Sequence, residues 1–162
     1  MAIAIRPVRP GEAGLVLAFV RELATYEHLL DAVDATEAMI DAALFAPNPR
    51  AFCDIAEWDG APAGIALWFP NFSSFRGRHG LYLEDLFVRP AFRRRGIGKA
   101  LLRHLAQRCV AQGWTRFDWA VLDWNAPSIA FYQSLGAELL MDWTICRLTG
   151  DALARLGVPE AP

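Results

Sequence analysis

The stretch LFVRPAFRRRGIGK, from Leu86 to Lys99, joins a run of bulky residues to a basic loop that contains two glycines. The run before it, Gly80–Val88, predicts a strand, and the apolar spacing within Gly96–Gln112 predicts an amphipathic helix. The first amides of a helix lack internal partners and carry partial positive charge. Because Gly96 and Gly98 have no Cβ, an anion can approach their backbone closely. The segment therefore predicts a phosphate-binding loop.

Two better-known phosphate motifs do not fit this loop. A P-loop requires Ser or Thr after its lysine, but Lys99 is followed by Ala100. A dinucleotide fingerprint requires a third glycine where Leu101 stands. The remaining pattern is RxxGxG, and the residues expected to hold a phosphate are Arg93, Arg94, Arg95, Gly96, Ile97, Gly98 and Lys99.

The charge distribution supports one local anion site. The chain has a formal net charge of −2, yet residues 76–108 carry nine basic and only two acidic side chains, Glu84 and Asp85. The basic run is short and lacks interleaved aromatic residues, so we expect no nucleic-acid partner. The alternative of a solvated basic turn that merely caps a helix stays open.

Composition excludes several other classes. Hydrophobic residues make up 54% and charged residues 21% of the 162 positions, which is typical of a globular chain and not of a disordered one. The longest apolar stretch, Leu15–Val20, is too short to span a bilayer, so no membrane partner is expected. The cysteines and histidines show no metal-ligand spacing, which predicts no metal and reduced thiols in a cytoplasmic protein.

Helices and strands alternate along the chain in the order βααβββαβαββ, which predicts a single α/β domain over residues 1–162. The strongest turn signal is Asp59-Gly60, which predicts a hairpin. Asp34 and Glu37 resemble a capping box at the start of the second helix. The predicted strands are Ala2–Arg6, Ala51–Trp58, Ala63–Phe69, Gly80–Val88, Arg116–Leu122 and Glu138–Leu148, the last broken near Asp142.

Three motifs in order carry a family resemblance: LYLEDLFV at Leu81–Val88, RRRGIG at Arg93–Gly98 and WNAPSIAFY at Trp124–Tyr132. Together with RELATYE at Arg21–Glu27, they resemble the GCN5-related N-acetyltransferase (GNAT) superfamily and its diamine (spermidine/spermine) branch. The resemblance implies a mixed, mostly antiparallel sheet flanked by about four helices. It also implies acetyl-CoA as co-substrate, a primary amine of a small molecule as acceptor, and a homodimer.

The resemblance further implies individual roles. Tyr132 would be the general acid and Glu84 would face the acceptor amine. The backbone of the strand before the loop would line the acetyl-pantetheine arm, and two polar residues would lie further along the cofactor. The remaining implied contacts are Leu86, Phe87, Val88, Asn125 and Ser128 to the cofactor, and Tyr26, Glu27 and Asp85 to the acceptor.

The chemistry of amine acetylation requires such groups. An alkyl amine with a pKa of about 10.4 is almost entirely protonated at pH 7, so a carboxylate must take a proton. Because side chains alternate along a strand, only one of Glu84 and Asp85 can point at a given site, and we expect Glu84. A phenol suits the departing thiolate, and a backbone N–H freed by strand distortion near Phe87–Val88 could stabilise the oxyanion.

Other interpretations of these residues stay open at this point. Tyr132 could be a half-buried helix aromatic, Asp85 could pair with an arginine, and Asn125 could be a turn former. A basic loop with Arg76 and Arg78 is expected at the acceptor mouth, which disfavours a polyamine and favours a thialysine-like amine. A protein or peptide N-acetyltransferase and a non-catalytic acyl-CoA-binding regulator are the alternative functions.

Overall fold

One five-stranded sheet organises the computed structural model, which describes residues 2–159. The strands lie side by side in sequence order, with β1 to β4 antiparallel and β5 parallel to β4. The predicted mixed, mostly antiparallel sheet is confirmed. The strands are β1 (Ile3–Pro7), β2 (Phe52–Trp58), β3 (Ala61–Ser73), β4 (Arg78–Val88) and β5 (Phe117–Trp119).

The hairpin between β2 and β3 forms at the predicted turn. Asp59 and Gly60 have φ angles of 48° and 83°, so both central residues adopt the left-handed conformation. Positive φ at both positions gives the turn a twist that matches the flanking strands, which is why the dipeptide Asp-Gly is favoured there. This turn fixes the pairing of the next strands.

Residues 2–159 contain five α-helices. They are α1 (Ala13–Tyr26), α2 (Glu37–Phe45), α3 (Ile97–Ala111), α4 (Ala126–Ser134) and α5 (Gly150–Leu156). The predicted capping box at α2 is wrong, because the capping residue is Thr36, whose hydroxyl accepts a hydrogen bond from the Met39 amide at 3.3 Å. Asp34 lies two residues too early to cap this helix.

The sheet is covered on both faces, as expected for a layered α/β structure. On the face that we call the α1 face, Val16 and Phe19 of α1 pack on Ile55 and Ile65 of the strands. On the opposite face, which we call the α3 face, α3 lies against the strands and buries Leu105. These two layers hold β4 and the following loop in place.

The last predicted strand, Glu138–Leu148, is not a strand in the described part of the chain. The only backbone hydrogen bonds recorded within it are local, such as the bond from the Met141 amide to the Leu139 carbonyl at 3.1 Å. A strand needs a partner for its backbone ladder, and an alternating apolar pattern does not supply one. The element order therefore ends with the helices α4 and α5.

The described residues form two compact units that divide between Ala120 and Val121. The sheet, α1, α2 and α3 belong to the first unit, while α4 and α5 belong to the second. The single domain expected over 1–162 stays a prediction. Within residues 2–159, no helix is both long and apolar enough to cross a membrane.

Candidate active site

The loop before α3 has the backbone geometry of an anion site. Gly96 precedes the helix with a φ of 80°, a left-handed conformation that favours glycine, and Arg94 also has a positive φ of 61°. No side chain caps this helix end. The first amides of α3 are therefore not committed to a side-chain cap and can bind a negatively charged group.

Two of the loop arginines pack back onto the protein. Arg93 donates a hydrogen bond from Nε to the Val88 carbonyl at 2.9 Å, and its guanidinium lies 5.0 Å from the ring centre of Tyr26. Arg95 stacks on Trp58 at 5.0 Å. Arg93 therefore joins the loop to the end of α1, where Tyr26 and Glu27 are predicted to contact the acceptor.

The other residues of the loop divide into exposed cations and one buried anchor. The side chains of Arg94 and Lys99 are exposed, so their charge is available to a ligand. Ile97 is 1% exposed, so only its backbone can meet an anion. Arg89, at the edge of the basic segment, is already paired with Glu22 at 2.8 Å and does not add free charge to the loop.

The strand that leads into this loop has an open edge. β5 pairs with β4 only at Leu81–Leu83, so the later part of β4 has no neighbour on that side among the described residues. The Arg89 amide donates to the Ala63 carbonyl of β3, and backbone groups alternate along a strand. Leu86 and Val88 therefore turn their backbone groups to the open edge. Phe87 turns its backbone to β3 instead, and its side chain lies in the core, while its role in the cofactor wall stays a prediction.

A β-bulge interrupts β4 at Glu84. Asp85 pairs with Leu67 and Leu83 pairs with Trp68, so Glu84 is an extra residue without a counterpart on β3. The expected strand distortion exists, but it lies at Glu84 and not at Phe87–Val88, which keep regular register.

The bulge changes the alternation of faces between Leu83 and Asp85. Leu67 packs with the core on the α1 face, so its partner Asp85 shares that face. Trp68 contacts Asp54 beside α3, so its partner Leu83 lies on the α3 face. Asp85, two residues on from Leu83, therefore lies on the opposite face, and the regular alternation behind the choice of Glu84 does not hold here. The expectation that only one of the two acids faces the acceptor stays a prediction.

Charge and burial perturb this acidic group. Burial, and then the negative charges of Glu84 and Glu27, raise the pKa of Asp85 to about 6. Burial also raises the pKa of Glu27 at the end of α1. Three carboxyl groups therefore lie near one another, and together they favour a cation. No arginine forms an ion pair with Asp85 in the described structure, so pairing does not explain this residue.

The remaining predicted residues belong to the second unit. Asn125 is the N-cap of α4 and its Oδ1 accepts a hydrogen bond from the Ser128 amide at 3.4 Å. Tyr132 lies on α4, is 9% exposed and has the Phe131 ring 5.5 Å away. The turn-forming interpretation of Asn125 is thus confirmed, while the cofactor roles of Asn125, Ser128 and Tyr132 stay predictions.

The basic loop lies far from the acids along β4. Arg78 begins the strand, and Glu84 follows six residues later. At a rise of about 3.3 Å per residue, the two positions are roughly 20 Å apart. The expectation of Arg76 and Arg78 at the acceptor mouth, and the preference against a polyamine that was drawn from it, stay predictions.

One polar group was missed by sequence reasoning. Asp54 is buried between strands and accepts a hydrogen bond from Trp68 Nε1 at 2.8 Å, with His104 and Arg108 of α3 nearby. Its signal was an acid inside an apolar strand, between Cys53 and Ile55. For metals, the described residues contain no group of three or more potential ligands.

Comparison with known proteins agrees with this geometry. The sequence profile of the acetyltransferase (GNAT) family matches residues 17–137. The thialysine N-epsilon-acetyltransferase of Sus scrofa is 35% identical over 166 residues, which cover 96% of this chain and 97% of that protein. The L-ornithine N5-acetyltransferase NATA1 of Arabidopsis thaliana is 42% identical over 114 residues, 70% of this chain, and the match spans 50% of that relative's length.

A solved structure supports the fold. An integron cassette protein from the mobile metagenome of V. cholerae superposes with a TM-score of 0.79 and 27% identity, covering 96% of this chain and 98% of that one. The chain belongs to the acetyltransferase (GNAT) family, which confirms the resemblance seen in its motifs.

Proposed function

We propose that this protein transfers an acetyl group from acetyl-CoA directly to a primary amine of a small molecule. The observation that supports the proposal is the buried Asp85, on which the charges of Glu84 and Glu27 act, in the strand that leads into the anion loop. An acidic site attracts an ammonium ion, and the loop suits the pyrophosphate of a nucleotide. Neither feature alone requires a transferase.

The donor site is proposed to use backbone more than side chains. The Leu86 backbone groups and the Val88 N–H on the open edge of β4 suit the amides of a pantetheine arm, because an extended chain can pair with a strand edge. The Val88 carbonyl already accepts a hydrogen bond from Arg93 Nε. The uncapped amides at the start of α3, with Gly96 and Gly98, would hold the pyrophosphate. Arg94 and Lys99 would add charge from solvent. Acetyl-CoA supplies the activated acyl group; no metal is proposed.

The acceptor site is proposed to hold the amine and remove its proton. Glu84, exposed in the bulge, would meet the ammonium first, with Tyr26 and Glu27 as the opposite wall. Asp85 suits the role of a base, since a pKa of about 6 lies close to the working pH of a general base. The proton would therefore pass to the Glu84–Asp85 pair.

Tyr132 is the proposed general acid. Its phenol is mostly buried on α4, where a hydroxyl is shielded from bulk water and can donate to a departing thiolate. Ser128, one turn earlier, and Asn125, at the N-cap of α4, are proposed to lie along the cofactor. Direct transfer is favoured over a covalent enzyme intermediate because no cysteine lies in the three motifs.

The substrate class follows from the acids and the relatives. Two of the similar proteins are named for ornithine and for thialysine, which are amino acids with a side-chain amine. A site with three carboxyl groups suits such a terminal ammonium and also a diamine. We propose a side-chain amine of a small amino acid or diamine as the acceptor, in a cytoplasmic homodimer.

Amine-dependent release of coenzyme A tests this function. The purified chain would be supplied with acetyl-CoA and, in turn, with ornithine, lysine, thialysine, putrescine, spermidine and a lysine-containing peptide. We expect small amines to exceed the peptide in kcat/KM. Faster turnover of the peptide would reject a small-molecule acceptor, and tight binding of acetyl-CoA with no release by any amine would reject the enzyme.

A further inference from the structure

A cavity that is separate from the acceptor acids lies against the sheet. It has a volume of about 220 Å³ and opens where β1 ends and β2 begins. Its wall is mostly apolar, with Val8, Leu44, Phe45 and Phe52 among the lining side chains. Asp54 and Arg108 also line it and bring opposite charges into an apolar space.

Asp54 is the buried anchor of this cavity. Asp54 is only 2% exposed, and its Oδ2 accepts a hydrogen bond from Trp68 Nε1 at 2.8 Å. The other oxygen, Oδ1, lies 3.7 Å from His104 Nε2, which is longer than a hydrogen bond. A carboxylate with a single close donor in an apolar wall favours a further donor with positive charge.

Arg108 supplies the opposite charge. Its guanidinium stacks 4.8 Å from the ring centre of Trp68, and its buried Nε has no hydrogen-bond partner among the described residues. Within residues 2–159, no ion pair joins Arg108 to Asp54. A guanidinium binds best to a planar group with two oxygen atoms, such as a carboxylate. Among the described residues, Arg108 has no such partner.

Trp68 keeps the two charges apart. The edge of its indole meets Asp54 and its face meets Arg108, so neither charge neutralises the other by direct contact. A ligand that carries an ammonium group and a carboxylate group on the same carbon atom can contact both Asp54 and Arg108. The cavity is smaller than the 300–1,000 Å³ typical of drug-sized ligands, so the ligand must be small.

We propose that this cavity binds a free α-amino acid with an apolar side chain. The ammonium group meets Asp54 Oδ1, the carboxylate meets the Arg108 guanidinium, and the side chain contacts the wall formed by Leu44, Phe45 and Phe52. None of the acceptor acids Glu27, Glu84 and Asp85 lines the cavity. The proposal therefore does not depend on the acetyltransferase function.

Binding of L-leucine to the intact chain, measured by titration calorimetry, tests the proposal without any variant. Two analogues each lack one charge: 4-methylpentanoate has no ammonium and 3-methylbutylamine has no carboxylate. We expect leucine to bind about tenfold or more tightly than either analogue, because each charged contact is lost in turn. Equal affinities for the three compounds, or no binding of leucine, would overturn it.

Variants then locate the ligand. Asp54→Asn keeps an acceptor for Trp68, and Arg108→Met keeps the apolar stem, so each should weaken leucine binding about tenfold. Arg103→Met, on an exposed position of the same helix, is the matched control and should leave it unchanged. If Arg103→Met weakens binding as much as Arg108→Met, the cavity is not the site.

Leucine is itself an amine, so binding at the acceptor acids must be separated from binding here. Asp85→Asn changes the acceptor site and does not touch the cavity. We expect this variant to bind leucine as the parent does. Loss of leucine binding in Asp85→Asn would place the ligand at the acceptor site and overturn the proposal.

Discussion

Glu84 and Asp85 are sequence neighbours in a strand, yet only Asp85 has a counterpart on β3, because Glu84 is the extra residue of a β-bulge. Asp85 lies on the α1 face of the sheet beside its partner Leu67. Burial, and then the negative charges of Glu84 and Glu27, raise the pKa of Asp85 to about 6. Several expectations depend on this relationship.

The pH dependence of activity should report Asp85. As pH falls through about 6, Asp85 becomes protonated and can no longer take a proton from the amine, so kcat/KM should decline on that side. Asp85→Asn should lower kcat/KM at pH 8 by about ten- to a thousand-fold and remove this step from the profile. An unchanged step near pH 6 in the variant would assign the titration to another group.

Stability should respond to pH in the opposite sense to a salt-bridged acid. The pKa of Asp85 is raised in the folded protein from 3.8 to about 6, so the folded state favours the protonated form. The free energy of unfolding should therefore fall as pH rises from about 4 to 6 and stay lowered above. Asp85→Asn should stabilise the protein by roughly 1–3 kcal/mol at pH 8 and have little effect at pH 3.5. Urea unfolding at both values measures this, and equal effects would contradict it.

Gly96 should matter to the cofactor through its backbone. Gly96→Ala places a Cβ at a φ of 80° and should cost about 1 kcal/mol of stability. Gly113, at the other end of α3 with a φ of 66°, is the matched control, since alanine there carries a similar strain. Only Gly96→Ala should also weaken coenzyme A binding, by about tenfold. Equal coenzyme A affinities in the two variants, by calorimetry, would reject the loop as the pyrophosphate site.

Tyr132→Phe should separate chemistry from binding. The substitution removes the phenol oxygen alone, so kcat should fall by about ten- to a thousand-fold while acetyl-CoA affinity stays the same. Phe131→Leu on the neighbouring, more exposed position is a control for disturbance of α4. An unchanged kcat in Tyr132→Phe would remove this residue from the mechanism.

The phosphate loop could be predicted from the sequence because its determinants are local. Glycines, arginines and the apolar spacing of α3 act within a few residues of one another. The hairpin at Asp59-Gly60 is local for the same reason. Both predictions therefore needed no knowledge of distant contacts.

The bulge, the end of the sheet and the Asp54 cavity could not be predicted in this way. Each depends on partners far along the chain: Glu84 on the register of β3, and Asp54 on Trp68 and Arg108. The apolar pattern of 138–148 is typical of a strand. A local pattern does not show whether another strand is available to pair with it, so this prediction was wrong. Register and cavity shape are properties of the assembled sheet.

The most direct measurement is product analysis after incubation with acetyl-CoA and ornithine or thialysine. We predict one acetyl group on a primary amine, with one coenzyme A released for each product, and loss of both in Glu84→Gln combined with Asp85→Asn. Coenzyme A binding without an acetylated amine, or full turnover by the double variant, would contradict the account.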